Sequence, residues 1–209
     1  MVEAFVGPLS RWFARGDDEE AARLRPGVEQ WREDLRGGVA EKVGEQLSWD
    51  EGSACAARFD LEVTGWSGLR LFAFYAERSD LEWPDTVPTL LELDQDWRKA
   101  SDEKFGKSVY GQLLACEMWL PGEFPVTVRA PRPDGDSVEI GSLKFLADQL
   151  QWLNQRTFQA DQAAIDQWAM QPAPAGASML QAAQRGYAML TAACARAHHE
   201  RLPLLIQSV

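Results

Sequence analysis

The chain has 209 residues, with 32 acidic against 21 basic side chains and a formal charge of -11, and its pI is near 4.7. Such a charge balance repels a phosphate backbone and excludes nucleic-acid binding as the default reading. Hydrophobic residues at 45% and charged residues at 25% are those of a globular protein, which excludes a disordered or fibrous chain.

The length suits a single globular domain over 1–209 with a sizeable core. Cys55, Cys116 and Cys194 are odd in number and far apart, which argues against a secreted disulfide framework and for reduced thiols in the cytoplasm. The start, Met1 to Pro8, carries Glu3 where a signal peptide has bases and breaks at Gly7-Pro8, so secretion is not expected. The segment Ala177 to Ala197 is interrupted by Gln181, Gln184, Arg185 and Arg196, and no membrane span is expected.

In chain order, Asp17 to Glu20 place acids in a first helical turn, where they complement the positive end of the helix dipole, and Pro26-Gly27 is expected to end that helix. Val28, Trp31, Leu35, Val39, Val43 and Leu47 recur at steps of three and four and predict a second helix, divided or kinked at Gly37-Gly38. The period then changes. Phe59, Leu61 and Val63 alternate with polar neighbours as in a half-buried strand, Gly65 to Gly68 reads as a turn, and Leu69 to Ala76 reads as the second strand of a hairpin. Ser79 to Trp97 reads as a loop leading into a short helix. Ser101-Asp102-Glu103 offers an N-cap with first-turn acids, and Val109 to Leu120 reads either as the end of that helix or as a buried strand.

A second hairpin is expected where Val126-Thr127-Val128 and Val138-Glu139-Ile140 flank an Asp134-Gly135 turn. Ser142 then caps a helix buried through Leu143, Leu146, Leu150 and Leu153, and Asp161 caps another through Ile165 and Trp168, ending at Pro172 to Gly176. Ser178 opens a long C-terminal helix whose stripe of Met179, Ala183, Gly186, Leu190, Cys194 and Ala197 is rich in small residues and admits a close neighbour. Leu202 to Ile206 reads as a terminal strand or a docked tail. The fold class expected is α+β, an antiparallel sheet with two hairpins covered by several helices.

Motifs that carry chemistry are scarce. Cys194 and His198 share a helix face, but no second ligand pair completes a zinc site, and the histidines suit a helix C-terminus. Cys116 and Cys194 fall in apolar surroundings that favour core packing over a nucleophile. Asp134-Gly135-Asp136 lacks the further ligands of a calcium loop, the glycines form no P-loop, and Gly-x-Ser-x-Gly is absent. No catalytic residue, metal or cofactor is assigned, and the balance leans away from an enzyme.

The acidity is uneven, with net charge -9 over residues 1–110 and -2 over residues 111–209. Between Ser79 and Trp97 stand Asp80, Glu82, Asp85, Glu92, Asp94 and Asp96 without a base, together with Trp83 and Trp97. Carboxylates that steer encounter beside tryptophans that anchor it suit a basic protein surface, so these eight residues form the candidate partner-binding site. The competing reading is a solvated loop whose tryptophans turn inward. In net charge, lack of catalytic motifs and this acidic-aromatic stretch, the chain resembles a bacterial immunity protein; the resemblance rests on these class features, not on a motif. It implies a cytoplasmic, non-catalytic module that neutralises a basic toxin or effector. A second reading is a small enzyme or ligand-binding protein with an aromatic-lined pocket, using carboxylates such as Asp94 and Asp96. A third is a homo-oligomer packed through the small residues of Met179 to Ala197.

Overall fold

A computed structural model describes residues 1–43, 47–132, 135–174 and 176–208, with side chains described for all of these except 39–43. Its strands are β1 (Val2–Val6), β2 (Ala57–Asp60), β3 (Met118–Leu120), β4 (Val128–Pro131), β5 (Ser137–Ser142) and β6 (Leu204–Ser208), joined in one sheet of order β2-β1-β6-β3-β5-β4. Its α-helices are α1 (Leu9–Phe13), α2 (Asp18–Val43), α3 (Val63–Ala76), α4 (Gln95–Asp102), α5 (Gly111–Ala115), α6 (Leu143–Leu153), α7 (Gln162–Met170) and α8 (Met179–Glu200). The class is α+β, and no helix among the described residues is long and apolar enough to cross a membrane.

The sheet is mixed, which corrects the antiparallel expectation. β4 and β5 pair antiparallel, Val128 opposite Ile140, and β5 is the strand that docks on β3. Because β5 returns in the direction of β3, that pair runs parallel, Met118 opposite Ile140. Gly135 takes the left-handed conformation in the connection, at φ +93°, while Asp134 lies outside the described residues. The C-terminal tail is central. β6 lies between β1 and β3, antiparallel to both, with Leu204 and Leu205 buried.

The first hairpin does not form. β2 stops at Asp60, and Val63 to Ala76, with the supposed turn and second strand, is the single helix α3. Its buried residues occupy every side, from Trp66 and Leu69 to Phe74 and Tyr75. A helix apolar all round leaves no 3.6-residue stripe in the sequence, and chance alternation then imitates a strand. Gly65 and Gly68 serve contact, not a turn: a Cβ on Gly186 of α8 would lie 2.1 Å from the Gly65 carbonyl oxygen, and one on Gly68 would lie 2.6 Å from the Ala182 Cβ. The small-residue stripe of α8 is therefore occupied by α3 of the same chain, which removes the feature that motivated the homo-oligomer reading.

Other boundaries moved for equally local reasons. Pro26 does not end a helix but lies inside α2, where Ala21, Val28 and Leu35 are buried on both sides of it. Packing there offsets the roughly 3 kcal/mol a helical proline costs. Of the expected stripe, the side chains of Val39 and Val43 lie outside the described residues. Ser101 to Glu103 closes α4 instead of opening a helix. Val109 to Leu120 holds both alternatives in turn, α5 and then β3. Ser142, Asp161 and Ser178 accept backbone N–H bonds from Phe145, Ala164 and Gln181 at the starts of α6, α7 and α8, and Gln181 completes a capping box. Ala175, in the connector before α8, lies outside the described residues.

Strand register sorts the side chains onto two faces. Ala4, Phe59, Leu204 and Trp119 share one, where Trp119 meets Trp66 of α3 edge-on at 6.5 Å. Glu3, Phe5, Arg58, Leu205 and Gln207 share the other. Two buried polar side chains tie this frame together. Gln112 donates to the carbonyls of Phe124 and Val126 and accepts from Ser142 N–H, and Glu51 accepts from Leu9 N–H, from Ser10 N–H and Oγ–H, and from the Trp49 indole.

Candidate functional site

The acidic stretch follows α3 and is pinned at several points. Trp83 packs edge-on against Phe72 at 5.1 Å and lies 6.2 Å from the Tyr75 ring, while the Tyr75 hydroxyl donates to Asp94 at 2.8 Å. Tyr75 thus holds both ends of the stretch together. Between them, Thr86 bridges to Ser178, and the Asp85 carbonyl accepts from Met179 N–H at 2.9 Å. A 3-10 turn, Leu91–Leu93, leads into α4.

The eight expected site residues divide. Asp80, Glu82, Asp85 and Glu92 are exposed, and none makes an ion pair among the described residues. Trp83 keeps 40% of its surface in water, and the stretch also exposes Leu90 at 60% and Leu93 at 66%, two anchors the sequence reading passed over. Leu90 is the extended N-cap of the 3-10 turn and Leu93 its last residue, and two leucines beside acids in a polar stretch are the signal that could have found them.

Trp97 and Asp94 are instead engaged within the fold. Trp97 is only 2% exposed and packs against Phe74 and Phe105. Asp94 is the N-cap of α4, accepting from Trp97 N–H at 2.8 Å while it accepts from the Tyr75 hydroxyl. Burial, and then the bond to Asp94, hold the Tyr75 hydroxyl above its ordinary pKa. Asp96 stands part-buried in the first turn of the same helix. Reversing the charge of Asp94 would remove a cap and a part-buried acceptor, so it tests folding as much as binding.

Cys194 donates from the core to the Leu143 carbonyl at 3.8 Å, whereas His198 and His199 stand in solvent, so the pair suspected from spacing does not converge. Among the described residues, no group of three or more His, Cys, Asp or Glu side chains could hold a metal ion. Burial pushes the Cys194 thiol up to about 12 and raises Cys116 further. The thiolate is the reactive form, so a disulfide reagent at pH 8 should titrate about one thiol per native chain, the part-buried Cys55, and three after denaturation. Rapid reaction of two thiols in the native protein would contradict this burial.

A cavity of about 770 Å³ lies between α1 and the sheet face of Glu3, Arg58 and Gln207. Trp12, Phe13 and Arg132 also line it, with the Arg132 guanidinium 5.1 Å from the Trp12 ring. Arg58 pairs with Glu3 at 2.5 Å, and Gln207 donates to the same carboxylate.

Compared with protein families, curated proteins and solved structures, the chain matches none.

Proposed function

We propose that this protein is a non-catalytic acidic protein-binding module that docks a basic protein through the surface around Asp80, Glu82, Trp83, Asp85, Leu90, Glu92 and Leu93. One observation carries the reading: three large apolar side chains stand exposed on a pinned segment among four carboxylates that make no ion pair among the described residues. Other large apolar side chains are exposed elsewhere, Trp152 and Met170 among them, but these three lie within eleven residues of chain, and apolar area gathered among charges suits a surface that a partner covers. Carboxylates around them accelerate encounter with a basic partner, and the apolar anchors set the residence time. Covering a basic functional site in this way is the action of an immunity-type protein on a toxin.

The test is capture from the native host's lysate, at low and moderate salt, by the wild type and by two variants. One reverses Asp80, Glu82, Asp85 and Glu92 to Lys, and the other replaces Leu90 and Leu93 by Ser. Each exposed change is expected to move stability by no more than about 0.5 kcal/mol. One basic protein should be retained by the wild type and released as salt rises. The lysine variant should associate at least tenfold more slowly, and the serine variant should release it faster. Equal retention by the wild type and both variants would remove this surface from the interface.

The ligand-binding reading is favoured by the 770 Å³ cavity, whose Trp12 and Phe13 wall and arginines suit a small anion-bearing molecule. Asp94 and Asp96, named for that role from sequence, are not among the residues that line it.

A further inference from the structure

Arg70 is the one charge within the apolar run of α3, and the fold gives it neighbours of an unusual kind. Its guanidinium lies 5.1 Å from the centroids of both Trp66 and Trp97, and it donates through Nε and Nη2 to the Leu114 carbonyl at the end of α5. No carboxylate pairs with it among the described residues. A guanidinium carries five N–H donors, and one carbonyl oxygen answers only part of them. Desolvation pulls its pKa down to about 10, against the pull of the more distant Glu117 and Glu92. A charge held partly out of water without a counter-charge bears a desolvation cost, and a bound anion offsets it.

The side chain opens on a cavity of about 280 Å³ between α3, α4, α5, the edge strand β4 and its neighbour β5. Lys104 and Arg129 line the same space, with the Ser101 and Thr127 side chains and the Phe105 ring. Asp102 and Glu139 are its acids, and Glu139 is already matched by Lys104 at 3.9 Å. Three cations therefore face two carboxylates, a local excess of positive charge in a chain of net charge -11. The rim is also strained: Lys104 and Phe105 are consecutive non-glycine residues in the left-handed region, at φ +55° and +50°. Such strain gathers where side chains must be aimed.

We propose that this cavity is a binding site for a small oxyanion, free or as the phosphate or carboxylate of a small organic molecule, held between Arg70, Lys104 and Arg129. Its size admits a group of that scale and not a macromolecule. The proposal stands apart from the partner surface, because the variants that test it leave Asp80 to Leu93 untouched.

Inorganic phosphate, glycerol 3-phosphate and succinate are titrated into the full chain by calorimetry and thermal melting, against potassium chloride at matched ionic strength. At least one oxyanion should bind and raise the melting temperature by about 3 °C or more at ten times its Kd. Tighter binding of the organic anions than of phosphate assigns the site to a head group, and the reverse order assigns it to the free ion. Arg70→Gln removes a Trp-packed side chain and can fail to fold, so the decisive variants are Arg129→Ala and Lys104→Gly. Both should weaken binding at least tenfold, while Lys104→Gly, relieved of its left-handed strain, melts no lower than the wild type. No shift beyond potassium chloride with any probe, or wild-type binding by both variants, overturns the proposal.

Discussion

Gly186→Ala lowers the melting temperature by roughly 6–12 °C, the consequence of about 3 kcal/mol lost from the packing of α3 on α8. The new methyl group would lie 2.1 Å from the Gly65 carbonyl oxygen, 2.7 Å from its carbonyl carbon and 3.0 Å from the Leu69 Cβ. The first two are backbone atoms inside a buried helix, which no rotamer change can move. Relief comes only from separating the two helices, which loosens the contacts of Leu69 and Ala183 as well. Alanine is favoured over glycine in a helix by about 1 kcal/mol, so the propensity gain is outweighed. Gly38→Ala supplies the control: it lies in α2 with nothing within 4 Å of the added methyl, and should hold or raise stability. Thermal melts of the three proteins decide the matter. Equal melting of Gly186→Ala and wild type would mean the helices are not in close contact.

Glu51→Ala should cost about 4 kcal/mol, a fall of roughly 8–16 °C in melting temperature. The carboxylate is 2% exposed and has no basic partner among the described residues. Leu9 N–H and Ser10 N–H reach it at 2.9 Å, Ser10 Oγ–H at 2.7 Å, and the Trp49 indole completes the set. Truncation strands three donors at the start of α1 and the Trp49 indole, and leaves a hole beside them. The loss is larger than that of the charge alone, since buried donors without acceptors cost about 1–3 kcal/mol each before relaxation. Glu51→Gln keeps the shape and one acceptor oxygen, and falls between wild type and Glu51→Ala. Urea denaturation gives the ranking directly, and a Glu51→Ala loss below about 1 kcal/mol would contradict the network. Because α1 also walls the 770 Å³ cavity through Trp12 and Phe13, this carboxylate positions that wall at a distance.

The two proposed surfaces differ in how they arise. The partner surface is a run of neighbouring residues, so its acids were visible as a run. Its division into exposed and buried members was not visible, because Trp83 and Trp97 have the same side chain and only the packing of Phe72, Phe74 and Tyr75 decides which one is enclosed. The proposed oxyanion cavity collects Arg70 from α3, Lys104 from the turn after α4 and Arg129 from β4, and no spacing along the chain announces it. Its one local trace is a lone arginine within the apolar run Leu69 to Ala76.

What the amino-acid sequence determined by itself is what acts over a few residues: the α+β class, the caps at Ser142, Asp161 and Ser178, the buried leucines of α6, and the small-residue stripe of α8. Caps and amphipathic stripes depend on side chains within a turn or two of one another, so they are written in short windows. Tertiary structure alone decided that Val63 to Ala76 is a helix, that the C-terminal tail becomes the central strand β6, that β3 and β5 run parallel, and that Arg70 faces a cavity. Each of these is settled by a partner far along the chain. A segment buried on every side carries no period of its own, and its conformation is chosen by what surrounds it.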